Sequence, residues 1–492
     1  MSGTVNSELI SLRLAAREIF QEALRAVDAG DAIRRAVRLE ESRLTICDTA
    51  IDLGTGGQKI YSVAIGKAAL PMAAALEEIL ADTLAAGIIA GPIAGQPLAG
   101  AIAALPRKIR TRWRWCEGGH PLPNRASLLA ARKSFDLLEL ANQQRALVIF
   151  LVSGGGSAIL EWPIDDQITL ADLRAANRAL VACGATIAEV NTVRRAFSAV
   201  KGGRLAARAP NSNQITLIVS DVPAGDEANV ASGPTLIPPS DAPLAVEVIS
   251  KYHLDESLPA SILRAVAQRP LAKKTSGSVW QEPRLGTHAF GVLPPHQPGS
   301  PLRRYFVLLD NRSVLEAAAT AGQTLGFRTE TAFDISDQPI DEGCALLLSR
   351  AFEFHRRRGL THAEAGSSEA GEGACLISGG EFRCPVRGNG AGGRNAETVL
   401  RLAIAMDRLR EQKSRPRLLA LCAGTDGIDG NSPAAGAIAD ETTIARARAR
   451  GLDEQKHLAG SDAFTFFNTL GEAIFTGPTG TNVRDLRLLL IK

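Results

Sequence analysis

Lys67 is the first residue whose placement points to chemistry. It follows Gly66 directly after the apolar run Ile60–Ile65 and opens an alanine-rich segment with helical character. An ammonium at a strand end can meet a substrate carboxylate or a transferring phosphate; the bland alternative is a surface lysine at a helix start. Three glycine-crowded turns extend the pattern: Val152-Ser-Gly-Gly-Gly-Ser-Ala158, Ser378–Glu397 and Phe475–Asn482. Glycines let backbone N–H groups approach an anion, and a helix start adds the positive end of its dipole. The turns therefore point to a phosphorylated ligand. Ser153, Gly154, Gly155, Gly156 and Ser157 read as a phosphate nest. Arg394 and Asn395 with Glu397 stand at the start of a helix-like segment, where an arginine fork can grip a carboxylate or phosphate, or pair with Glu381 or Glu397. Asp221 ends an apolar strand and is a candidate general base or magnesium ligand, against a plain capping carboxylate. Lys201 and Arg204 flank Gly202-Gly203 and read equally as nucleotide-phosphate contacts or a solvated face. Asp426 and Asp429 suit either a metal loop or ordinary turns. Thr479 lies in a loop that can offer hydroxyl and backbone groups to substrate or adenine, or serve only as a turn. His120, flanked by prolines, reads as a loop anchor.

Other chemistries are excluded or weakened. The P-loop pattern fails because Ala68 follows Lys67 and Tyr61 occupies the first glycine position. A nucleophile elbow fails because Ile159 stands where Gly-x-Ser-x-Gly needs its second glycine. Gly388-x-Gly390-x-x-Gly393 matches the dinucleotide fingerprint, but the acid it requires would be Glu411, in the charged run Asp407–Arg415. Seven cysteines and seven histidines are scattered without zinc spacing, which suits a reducing cytosol. Basic residues exceed acidic ones by only three, so no chain-wide field attracts nucleic acid. The N-terminal stretch carries Glu8, Arg13, Arg17 and Glu18 where an export signal needs apolar residues. Thr83–Pro106 is uncharged but broken by Gly and Pro, and reads as a strand end at Gly87–Ala90, a loop and a short helix, with no membrane span.

The elements that must hold these residues alternate in the manner of an α/β protein. Leu12, Ala16, Ile19, Ala23 and Val27 form a helical stripe that Gly30 is expected to end. Strands are expected at Ile60–Ile65, Ala146–Val152 and Ile215–Val219. The span Gln268–Pro301 lacks periodicity and reads as a linker or insertion. A second αβ set then begins at Tyr305–Leu309 and continues through Ala374–Ile377, Leu418–Leu421 and Leu486–Ile491, with helices at Ser313–Leu325, Glu342–Arg357, Asn395–Arg410 and Thr442–Arg450. Gly366–Gly373 reads as a loop. The expected domains are 1–267, a linker over 268–301, and 302–492.

Taken in order, Ala64–Ala69, Gly118-Gly-His-Pro-Leu-Pro-Asn124, Leu151–Ala158, Asn191–Arg194, Ser198–Ala206, Ser220–Pro223, Ala231-Ser-Gly-Pro-Thr235, Gly392–Glu397, Gly424–Gly430 and Thr476–Val483 resemble class II glycerate kinases, the MOFRL family, over nearly the whole chain. The resemblance implies two α/β domains, the larger N-terminal one Rossmann-like, with an active-site cleft between them. It implies ATP- and Mg2+-dependent phosphorylation of D-glycerate, usually at the 2-hydroxyl; the scattered cysteines suit a cytoplasmic enzyme, and homo-oligomerisation is left open. It points to Lys67 and Arg394 as functional. Some bacterial relatives carry the name hydroxypyruvate reductase, so an NAD(P)H-dependent reductase is the alternative. The chain departs from the family pattern at Arg195-Ala-Phe-Ser198, where relatives commonly read Lys-His-Leu-Ser, and at Asn389–Glu397, where two cations are exchanged. Weakened activity, or a ligand-binding protein without turnover, therefore stays open.

Overall fold

The computed structural model describes residues 2–54, 57–92, 111–239, 242–268, 300–365, 373–409 and 416–492. Residues 93–106 of the uncharged segment, nearly all of the expected linker, Gly366–Glu372 and Glu411 lie outside the described residues. The chain divides into two compact units, Ala29–Leu309 and a second made of Met1–Asp28 with Asp310–Lys492.

The first unit is built on six parallel strands in the spatial order Trp113–Glu117, Leu84–Gly91, Ile60–Ile65, Leu147–Ser153, Asn213–Val219, Arg303–Leu309. Numbered along the chain, that order is 3-2-1-4-5-6. The two central strands, IYSVAI and LVIFLVS, are buried at every position, as a parallel sheet covered on both faces requires. Each Val, Ile, Leu or Phe side chain so removed from water contributes about 1.5–3 kcal/mol. The strand order reverses between Ile60–Ile65 and Leu147–Ser153, and open α/β sheets leave a ligand crevice at the carboxyl ends of such a pair. Helix Arg125–Gln143 covers one face, its start fixed by reciprocal bonds between Asn124 and Ser127. A small antiparallel meander, Val37–Glu40, Arg43–Ile46 and Thr49–Asp52, completes the described sheets of this unit.

The second unit holds a six-stranded mixed sheet in the order Arg328–Ala332, Ala374–Ser378, Asp485–Ile491, Leu418–Gly424, Gly436–Asp440, Ala473–Ile474. Helix Ser2–Ala26 belongs here: Arg13 Nε donates to Asp440 Oδ2 at 2.6 Å, and Leu12, Ala16, Ile19 and Ala23 are buried.

Three expectations need correcting. The boundary at 267 and 302 is displaced, because Arg303–Leu309 hydrogen-bonds to Asn213–Val219 as the sixth strand of the first sheet instead of opening a second set. The stretch 1–28 likewise leaves the N-terminal domain, since the apolar stripe of its helix is buried in the second unit. Gly30 does not end that helix, which stops at Ala26; it lies inside the next one, Ala29–Ala36.

Candidate functional site

At the reversal point the first unit gathers Lys67, His120, Asp221 and the triple-glycine turn. Gly66 has φ +107°, and a β-carbon there would overlap Ser153 and the Gly154 carbonyl, so only glycine lets the two central strand ends approach. The turns are stitched together: Lys67 N donates to Gly154 O at 2.9 Å, Ala68 N to Ser153 Oγ at 3.0 Å, and Ser153 Oγ to Ile65 O at 3.1 Å. A β-carbon on Gly155 would stand 3.2 Å from both Lys67 Cγ and His120 Cδ2, and one on Gly154 would overlap the Asp221 carboxylate. Residues 67, 120, 155 and 221, far apart in sequence, thus share one small space.

The expected nest is reshaped by this geometry. Ser153 is fully buried and spent on internal bonds, and Gly154 and Gly156 are buried; Gly155 and Ser157 are partly exposed. Behind them lies a backbone run in the left-handed region, with φ 52° at Ala231, 61° at Ser232 and 66° at Gly233. Two non-glycine residues in that region cost of order 1–2 kcal/mol each, so the surroundings must hold them. They do: Arg195 donates through Nη2 to Ala228 O at 2.8 Å and Asn229 Oδ1 at 2.7 Å, and through Nε to Ser232 O at 3.3 Å. Burial pushes the Arg195 guanidinium down to about 10, with Arg204 adding to the effect.

Lys201 is corrected outright. It is 1% exposed and ion-paired with the fully buried Glu161, which also accepts from Ser198 Oγ at 2.6 Å. Arg204 donates to the carbonyls of Arg195, Ser198 and Lys201, finishing a helix end. Neither reading given for the pair at the sequence level, phosphate contact or solvated face, describes the buried Lys201.

The second unit gives its glycine-rich turn a different use. Asp429 is buried and receives N–H bonds from Gly393 at 3.1 Å, Asn395 at 2.9 Å and Ala396 at 2.8 Å. Its carboxylate therefore fills the N-terminus of helix Arg394–Arg408, where the sequence placed an incoming phosphate. Burial, aided by Asp485, pushes Asp429 up to about 6 against the pull of those N–H bonds and Arg394. Arg394 forks onto Asp485 at 2.5 and 3.0 Å and reaches Glu381 at 2.9 Å, with its side chain 34% exposed. Burial pulls its pKa down, but the carboxylates outweigh this and leave it above the ordinary value. Asn395 is buried and donates to Asp485 at 3.0 Å. Glu397 is buried between Arg387 and Arg401 at 3.1 and 2.6 Å, which makes it a structural acid in place of the expected ligand contact.

Asp426 and Thr479 do come together. Thr479 N donates to Asp426 O at 3.4 Å, Thr479 Oγ1 to Thr425 O at 2.6 Å, and Asp426 Oδ1 accepts from Ile428 N at 3.1 Å. Among the described residues no group of three or more His, Cys, Asp or Glu side chains is placed to hold a metal ion. The dinucleotide reading of Gly388–Gly393 also loses its frame. Strand Ala374–Ser378 and helix Arg394–Arg408 are separated by a long loop where the fingerprint needs a tight turn.

Comparison with known proteins decides the family. Residues 15–267 match the family described as a domain of unknown function, DUF4147, and residues 374–485 match the MOFRL family. The chain is 34% identical to the glycerate kinase of Homo sapiens, covering 100% of this chain and 95% of that one. The chain belongs to the class II glycerate kinases. It is also 30% identical to the glycerate 2-kinase of Pyrococcus horikoshii over 96% of this chain and 95% of the relative. A protein named putative hydroxypyruvate reductase from Agrobacterium vitis is 35% identical over 87% and 86%. The crystal structure of glycerate kinase from Thermotoga maritima superposes with TM-score 0.70 at 28% identity, covering 98% of this chain and 100% of that one.

His120 and Asp485 are the residues that sequence reasoning undervalued. The Gly-Gly-His-Pro string was the signal for His120, whose ring lies beside Gly155. Asp485 gave none, because its partner Arg394 is 91 positions away. No helix among the described residues is long and apolar enough to cross a membrane.

Proposed function

We propose that this glycerate kinase family member transfers the γ-phosphoryl group of ATP to the 2-hydroxyl of D-glycerate, giving 2-phosphoglycerate. The observation that carries the reading is the convergence of Lys67, Asp221 and the Gly154–Gly155 turn where the strand order reverses. Phosphoryl transfer needs cations beside the moving group, a carboxylate for the attacking hydroxyl and backbone donors for phosphate oxygens. In this reading Lys67 neutralises charge on the transferring phosphoryl group, Gly155 N–H faces its oxygens, and Asp221 orients the 2-hydroxyl and takes its proton. Mg2+ on nucleotide phosphates typically uses only one or two protein carboxylates, which Asp221 can supply; bound there, it would offset phosphate charge. Arg394, partly exposed, Asp426 and Thr479 are assigned to substrate or nucleotide contacts of the second unit. A cytoplasmic setting belongs to the same reading, supported by seven unpaired cysteines.

The test is incubation of purified protein with D-glycerate, ATP and Mg2+, with 2- and 3-phosphoglycerate resolved and hydroxypyruvate plus NAD(P)H run in parallel. Formation of 2-phosphoglycerate is expected. Oxidation of NAD(P)H without phosphorylated product would replace the kinase by the reductase.

A further inference from the structure

Ser157 sits at the partly exposed edge of the triple-glycine turn, and the direction of its hydrogen bond can be deduced. Arg194 is 8% exposed and donates through Nε to Asn177 Oδ1 at 3.0 Å and through Nη1 to Asn191 Oδ1 at 3.3 Å. A guanidinium has donors only, so the oxygen of Asn191 must face it. The other end of that amide faces the Asn229 carbonyl at 3.2 Å, an acceptor only, which fixes the same orientation independently. Asn191 Oδ1 also lies 2.8 Å from Ser232 Oγ, and an amide oxygen accepts, so Ser232 must donate its single hydroxyl hydrogen there. Ser157 Oγ and Ser232 Oγ are 2.7 Å apart. With the hydrogen of Ser232 committed, the hydrogen between the two serines belongs to Ser157.

Ser157 is thereby left with lone pairs and no hydrogen to offer. An oxygen in that state repels the acceptor-only oxygens of phosphate and carboxylate and welcomes an alcohol O–H. We propose that Ser157, polarised by the Arg194–Asn191–Ser232 chain, accepts a hydrogen bond from the non-reacting 3-hydroxyl of the substrate and so selects dihydroxy acids. It is a specificity residue in place of the phosphate contact expected from the sequence. The inference rests on the glycerate kinase reading. The left-handed backbone at Ser232, clamped by Arg195, is what brings its hydroxyl between Ser157 and Asn191.

The experiment compares D-glycerate with its 3-fluoro analogue, in which fluorine, an acceptor of similar size, replaces the 3-hydroxyl. Both are followed by kcat/KM with ATP and Mg2+ and, separately, by calorimetric binding. The wild type is expected to prefer D-glycerate by about 30-fold, since a site built to pair a hydroxyl strongly rejects an analogue lacking it. Ser157→Ala should bring the two within about threefold. Ser232→Ala keeps the Ser157 side chain but frees its hydrogen, and should narrow the preference; a purely steric role of Ser157 would leave it unmoved. Equal handling of the two acids by the wild type, or full preference surviving in Ser157→Ala, overturns the proposal. Discrimination in calorimetry without phosphoryl transfer would retain Ser157 as the acceptor while removing the kinase reading.

Discussion

The turns at Gly154–Ser157 and Gly388–Gly393 look alike in sequence and are used in opposite ways. In the first unit, glycine positions leave room for Lys67, His120 and Asp221, so side chains of different strand ends meet beside backbone donors. In the second, the donors at the helix start are already satisfied by Asp429, a carboxylate of the same chain. A glycine-rich turn before a helix therefore advertises an anion, but a residue more than thirty positions away decides whether that anion is a ligand or an internal cap.

Breaking the comparison most sharply, Lys67→Ala should lower kcat for D-glycerate phosphorylation by about 1000-fold with an unchanged unfolding midpoint, as loss of a transition-state cation does. A variant of near wild-type kcat would detach the first turn from chemistry. Gly154→Ala comes next: its methyl group must displace the Asp221 carboxylate, and steady-state kinetics should show a loss of about 100-fold in kcat, the scale on which small misplacements act. In the second turn the effect should move from rate to stability. Asp429→Asn leaves one acceptor oxygen for three N–H groups and turns an amide toward donors, costing about 2 kcal/mol by urea titration at constant m. Loss of kcat with unaltered stability would make Asp429 a site residue after all.

The smallest effect is a pH slope. Asp429 in the folded chain holds its proton up to about 6, whereas the ordinary value is 3.8. Between those values the folded state binds the proton and the unfolded state does not, so this group favours folding at low pH. That contribution falls as pH rises from about 4 to 6 and is flat above. Urea midpoints across this window should decline less in Asp429→Asn than in the wild type; identical slopes would mean that Asp429 titrates elsewhere.

Apolar continuity made the buried strands legible: Ile60–Ile65 is found with its expected bounds, and the runs at 146–152 and 215–219 within two residues at either end. Trp113–Glu117 escaped because WRWCE interrupts its apolar residues with charge, as an edge strand can, and Gly436–Asp440 because GAIAD is too small-sided to stand out. In the candidate site, the placement of Lys67 and Asp221 was legible because each lies two positions past the end of an apolar strand. Lys201 and Glu397 were misread for one physical reason: a charge looks available in sequence, and only the fold reveals that Glu161 or Arg401 has claimed it.

The second unit draws on segments far apart along the chain. Helix Ser2–Ala26 precedes the rest of that unit by about 285 residues, and strand Asp485–Ile491 lies between Ala374–Ser378 and Leu418–Gly424 in its sheet. At roughly 5–20 residues per second, a ribosome holds the helix for about 15–60 s before any of its docking partners is synthesised. The Ala29–Leu309 unit can close during that interval, but the sheet of the other unit lacks an inner strand until residue 491 has left the exit tunnel. Its assembly therefore follows that of the Ala29–Leu309 unit, and until then the Leu12–Ala23 stripe lacks the partners it is buried against, so protease should cut stalled intermediates there but spare the folded protein.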